Sequence, residues 1–120
     1  MANLDNRPLV IGQAYNAKDK TILTGQTLVA GSVMGVVTAS GKLLLCDKGA
    51  VDGSEVAKFV LTKAVDSSGG DVVADVLKAG VVNGELLVFG GASVLADHDE
   101  ELRDVGIITV TGENLENYDN

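Results

Sequence analysis

The apolar residues of this chain come in short runs, and each run is stopped by a glycine or a turn pair. Val33 to Thr38 gives way to Ala39-Ser40-Gly41-Lys42, Leu43 to Cys46 to Asp47-Lys48-Gly49-Ala50, and Val56 to Val65 to Asp66-Ser67-Ser68-Gly69-Gly70. Runs of this length suit strands and are too short for amphipathic helices. With 15 glycines against one proline, the breaks read as turns rather than as a low-complexity linker. Leu, Val, Ile and Phe make up 38 of 120 residues, which is enough to exclude intrinsic disorder for most of the chain and to support one buried core.

The spacing predicts a hairpin over Val33–Cys46, with Gly41 free to take a positive φ. Val56–Val65 reads as a longer strand, with Ala57, Phe59 and Leu61 on one face and Val56, Lys58 and Val60 on the other, the second face only partly dry. Val72–Leu77 and Glu85–Phe89 flank Asn83-Gly84, the pair most typical of a type I′ turn, and so predict a second hairpin. Val60 and Val76 are core positions. One helix of roughly two turns is expected to begin at Asp97, which has capping-box spacing to Glu100, with Leu95 as a staple and Gly106 as the residue after the C-cap. Ile107–Val110 follows as a last strand. The expected architecture is mainly β with one short helix, a small compact β-barrel or β-sandwich-like single domain. A flexible polar arm over residues 1–20 and a polar tail over 112–120 flank the β-rich body, 21–111.

Charge is unevenly placed. Residues 1–60 carry 6 basic and 5 acidic groups, and residues 61–120 carry 3 and 12, for a net charge of −8. Phosphate contacts need clustered Lys and Arg, so nucleic acid and anionic membranes are excluded as expected partners. No stretch reaches membrane-spanning length and the first residues lack a secretory pattern, so synthesis in the cytoplasm is expected. Cys46 is the single cysteine. It allows no intrachain disulfide and reads as a small buried hydrophobe.

Gly35 to Lys42 has five residues between its glycines and Leu43 after the lysine, which fails the phosphate-loop pattern. Asp97-His98-Asp99-Glu100-Glu101 combines imidazole and carboxylates. Acidic residues suit a helix start, and adjacent helical positions do not face one centre, so no metal site is assigned there. No nucleophile is paired with a base by spacing. The expectation is therefore no enzyme, no catalytic residues and no cofactor. Lys48 in its turn loosely matches the modified lysine of lipoyl and biotinyl carrier domains, but a solvated turn lysine is the better reading, since the second half-repeat of such domains is not visible.

Gly25-Gln26-Thr27-Leu28-Val29-Ala30-Gly31-Ser32-Val33-Met34-Gly35-Val36-Val37-Thr38, running on to Gly41-Lys42, resembles a G-x-x-L-x-x-G-x-V-L-G-x-V-T pattern. That pattern belongs to the lambda-type head decoration proteins of tailed bacteriophages. The likeness continues in order through Val51-Asp52-Gly53-Ser54-Glu55-Val56-Ala57, Val60-Leu61 with Ala64-Val65-Asp66, Asp71–Leu77 with Gly80–Asn83, and Leu102–Val110. It covers Thr21 to Val110. The chain departs from the pattern at Phe89-Gly90-Gly91, where the family often has an aromatic and a proline.

The resemblance implies a homotrimer that docks on the outside of the expanded head, against the major capsid protein at three-fold and quasi-three-fold sites, and stabilises the capsid of the virion against internal DNA pressure. A mean hydropathy of +0.25 with strands apolar on both faces fits an assembly that covers greasy surface. Within the arm, the apolar run Leu9-Val10-Ile11 with Tyr15, entered through Pro8, suits addition as an edge strand to a partner, so Pro8, Leu9, Val10, Ile11 and Tyr15 are the capsid-binding candidates. The rival readings are a carrier domain modified at Lys48 and a ring-forming β adaptor.

Overall fold

The computed structural model describes residues 9–111. In chain order the elements are β1 (Val10–Ile22), β2 (Thr27–Leu28), β3 (Val33–Val36), β4 (Leu43–Leu45), β5 (Phe59–Val60), β6 (Val65–Asp66), β7 (Val72–Asn83), a turn of 3-10 helix (Gly84–Leu86), α1 (Leu95–Asp104) and β8 (Ile107–Val110). The fold is mainly β with one α-helix. β1, β4, β3, β5 and β7 pair in that order, and β7 pairs back onto β1, so the sheet closes into a ring. β8 lies parallel to the end of β7, and β2 with β6 forms a separate two-stranded sheet.

The first hairpin forms where the spacing placed it. Met34 faces Leu45 and Val36 faces Leu43, and Gly41 takes φ +74° in the turn. The side chains of β3 alternate between two cores. Val33 belongs to a cluster with Cys46, Ala57, Val60, Leu77, Val82, Leu102 and Ile107. Met34 belongs to a second cluster with Ile22, Leu28, Leu43, Leu61, Val65 and Val76. Val60 and Leu61, and Val76 and Leu77, split between the clusters in the same way. Successive side chains of a strand point to opposite faces, so these strands are dry on both faces. That accounts for their near-continuous apolar sequence.

Three expectations about elements are corrected. Val56–Val65 is not one strand: only Phe59–Val60 pairs with β3, and Val65–Asp66 turns away to pair with β2. The face of Val56, Lys58 and Val60 is only partly dry, as expected: Val60 is fully buried, Val56 half-buried and Lys58 exposed. Asn83-Gly84 makes no hairpin. β7 runs on to Asn83, whose φ is −78°, and whose side chain accepts the N–H of Glu85 to start the 3-10 turn. Glu85–Phe89 is then no strand, apart from an isolated bridge between Val88 and Ser32. Glycine at 84 serves packing, because an added Cβ would meet Thr111 Cγ2 at 2.8 Å and Leu95 Cδ2 at 3.0 Å.

The helix begins two residues before the expected Asp97. Asp97 is its third residue, and its carboxylate accepts the N–H of Val94, the capping residue, at 2.9 Å. This early start brings Leu95 onto the helix, where it packs against the first cluster. The end agrees with the sequence: Gly106 follows the cap with φ +95° and leads into β8.

Residues 10–20, expected to be part of a flexible arm, are a strand. Nine of the thirteen residues of β1 are polar or small, yet its main chain finds a partner along β7 from Val10 facing Val82 to Ile22 facing Val72. Backbone pairing does not require apolar side chains, so periodicity gave no sign of it.

Candidate functional site

β1 and β7 form a long antiparallel ribbon that closes the ring at one end. The pairing is irregular, with breaks in register between Val10 and Ala14, Tyr15 and Asn16, and Ala17 and Lys20. Two of the breaks have a local cause. Asp19 sits at φ +58° and its N–H reaches Asp75 Oδ1. Gly80 sits at φ +143°, with the backbone oxygen of Gln13 where a Cβ would stand, so only glycine lets the two strands approach there.

Beyond β7, the one other strand that β1 meets among the described residues is β4, at Ile22 facing Leu43. Its second edge is therefore open over residues 10–21. An edge strand presents unpaired N–H and C=O groups and is a template for another chain. Gly12 to Asn16 are exposed, as are Lys18 and Asp19. Tyr15 is 55% exposed, and its hydroxyl donates to Gln13 Oε1 at 3.1 Å. The bulges and lysines divide this edge into short stretches and limit indiscriminate pairing.

The candidate residues separate. Leu9 and Val10 pack against the first core cluster, and the oxygen of Leu9 accepts the N–H of Asn83 at 2.7 Å, so this part of the apolar run is committed to the body. Ile11 is half-buried at the start of the open edge, and Tyr15 lies on it. Pro8 lies outside the described residues. The accessible edge is thus the polar stretch after the run.

A second cluster joins residues the sequence kept apart. Cys46 follows β4, and His98 and Glu101 lie three apart on one face of α1. Adjacent helical positions diverge, but three-apart positions do not, and that signal was missed. One ligand atom from each of the three lies within 4.8 Å of the others. Cys46 Sγ is 3.6 Å from His98 Nδ1, and His98 Nδ1 is 2.7 Å from Glu101 Oε1. The same oxygen of Glu101 accepts the N–H of Ala57 at 2.8 Å, and the His98 ring stacks on Phe89. Burial, and then the carboxylates of Glu101, Asp47 and Glu55, push the Cys46 thiol up to about 12. At neutral pH it is protonated and a poor nucleophile.

Two other acidic residues of the helix turn elsewhere. Asp97 holds the Val94 N–H and pairs with Lys48, and Asp99 accepts from Arg103 and Thr109. Lys48 stands in a turn after β4 that leads into irregular chain rather than at a hairpin tip. Lys42, at the end of the rejected phosphate loop, pairs with Asp71 at 2.6 Å.

Among the described residues no helix is long and apolar enough to cross a membrane. Large apolar side chains are nonetheless exposed on the body, among them Val29, Val88, Val94 and Val51, the last 98% exposed. A family model, that of the bacteriophage lambda head decoration protein D, matches residues 5–107. No curated protein matches the chain.

Proposed function

The chain belongs to the family of bacteriophage lambda head decoration protein D, and from that premise we propose that it docks as a homotrimer on the outer surface of an expanded phage head and stabilises the shell. The match over residues 5–107 carries this reading, since it spans the ring, the ribbon and the helix together. The sites are the three-fold and quasi-three-fold positions of the coat, where a three-fold assembly meets its own symmetry. The role is structural and requires no catalytic group or cofactor.

Two features of the body support the finer parts. Val29, Val51, Val88 and Val94 present apolar surface that burial between copies would cover. The open edge of β1 supports docking by strand addition, in which main-chain hydrogen bonds supply affinity and neighbouring side chains select the partner. A chain beginning at Thr21 would lose the main-chain partner of β7 as well as the edge, so side-chain changes are the cleaner probe.

The experiment is co-sedimentation with expanded heads that lack decoration, alongside native mass measurement of the free protein. The wild-type chain should be trimeric and bind saturably. A Tyr15→Asp, Lys18→Glu double variant should keep its fold and lose most binding. Full binding by that variant would move the contact from β1 onto the body, and no binding by the wild type would overturn the decoration role.

A further inference from the structure

We propose that Cys46, His98 and Glu101 form a binding site for a thiophilic divalent transition-metal ion, zinc above all, that ties the end of β4 to α1. The site is separate from the open edge of β1, and it takes its ligands from two elements that the fold brings together.

The donor set is the first argument. A thiolate, an imidazole nitrogen and a carboxylate oxygen are the ligands zinc prefers, and three protein ligands plus one further position is the usual count at an accessible zinc. Geometry is the second. With Zn–S about 2.3 Å and Zn–N about 2.0 Å, a tetrahedral ion holds S and N about 3.5 Å apart. Cys46 Sγ is already 3.6 Å from His98 Nδ1, and because it is also 3.8 Å from Nε2 it must swing toward the Nδ1 side of the ring to share an ion with that nitrogen. The Nδ1 to Oε1 separation of 2.7 Å is a hydrogen bond and must widen by several tenths of an ångström to admit the ion.

Glu101 is the residue able to make that movement. Its side chain is 32% exposed, whereas that of His98 is 1% exposed and held by the stack on Phe89. The exposed side of Glu101 is also the route of entry, and water or its second oxygen completes the fourth position. The N–H of Ala57 on Glu101 Oε1 is the kind of outer contact that fixes a ligating carboxylate.

Electrostatics favour the ion as well. The carboxylates of Glu101, Asp47 and Glu55 that oppose a thiolate in the empty cluster attract a dication, and the dication in turn stabilises the thiolate. The balance is simple. Cys46 loses its Sγ proton to solvent, His98 moves its proton from Nδ1 to Nε2 so that Nδ1 offers a lone pair, and Glu101 supplies a carboxylate oxygen. One proton leaves per ion bound, and no electrons are exchanged.

The test uses the full chain, reduced and freed of metal with a chelator, then titrated with Co(II) under anaerobic conditions. One equivalent should produce an intense thiolate-to-cobalt absorption in the near ultraviolet with the visible bands of a tetrahedral site. Zn(II) should abolish both and raise the Tm by several degrees. Glu101→Gln keeps an acceptor for the Ala57 N–H and should fold normally, yet bind about 10- to 100-fold more weakly. Cys46→Ala should lose the near-ultraviolet band. Absence of that band in the folded wild-type chain overturns the proposal, as does Co(II) affinity unchanged in Glu101→Gln. Should Cys46→Ala fail to fold, these two measurements still decide. Neither involves phage heads, so the outcome is independent of the decoration role.

Discussion

β3 and β1 are strands of one sheet and bury opposite amounts of themselves. Val33, Met34 and Gly35 of β3 are all buried, with a core on each face, whereas Gly12 to Asn16 of β1 are exposed on both. β3 is held by side-chain burial as well as by its ladder. The middle of β1 is held mainly by the main chain of β7. Two strands with the same hydrogen-bonding chemistry thus differ in what a substitution can remove: packing in one, and little but surface in the other.

The largest effect should come from cutting into the doubly dry strand. Met34→Ala removes a fully buried side chain from the second cluster and should destabilise by about 2–5 kcal/mol, read by denaturant unfolding. A value near that of a surface change would mean that β3 does not carry the core on both faces. Gly35→Ala comes next. A Cβ there would collide with the backbone of Ser54, which cannot swing aside as a side-chain tip does, and the expected loss is about 1–3 kcal/mol. Gly41→Ala, whose Cβ meets open space, isolates the cost of positive φ alone.

Alkaline pH probes the core without any substitution. The Cys46 thiol titrates at an ordinary 9.0 in the unfolded chain and near 12 in the fold. Between those values the unfolded state has released a proton that the fold retains. The contribution is therefore complete below pH 9 and declines above it by about 1.4 kcal/mol per pH unit. Stability followed from pH 8 to 11 should show this slope, and Cys46→Ala should show a shallower one. An identical slope in both would place the loss in other groups.

Acid should loosen the base of the ribbon more gently. Asp71, just before β7, is held below its ordinary 3.8 first by the hydrogen bond from Lys42 and then by the N–H of Thr24. A lowered carboxylate stabilises the fold above 3.8, and that contribution is lost as pH falls through the folded value. Asp71→Asn should flatten the acid limb of a stability curve, and no flattening would remove Asp71 from the account. The smallest stability effect belongs to the open edge. Tyr15→Ala should change stability by no more than about 0.5 kcal/mol while reducing binding to expanded heads. A large stability loss would show that β1 packs against more than β7.

Much of the fold was legible along the chain because local chemistry and final structure agree. Gly41 turns the first hairpin, Gly106 ends the helix, and the apolar runs at Val33, Leu43 and Ile107 become strands. Tertiary structure decided the rest. Asn83-Gly84 has the local chemistry of a tight turn, but β8 pairs alongside Gly80 to Asn83 and Leu95 and Thr111 close over Gly84, so the strand runs through. The middle of β1 has no hydrophobic pattern, since it is held largely by main-chain bonds to residues some sixty positions away. Cys46 meets His98 and Glu101 across about fifty residues, a contact that closure of the ring and docking of the helix create. Periodicity reports which side chains avoid water. It carries no record of which backbones pair, or of which polar groups long-range packing brings face to face.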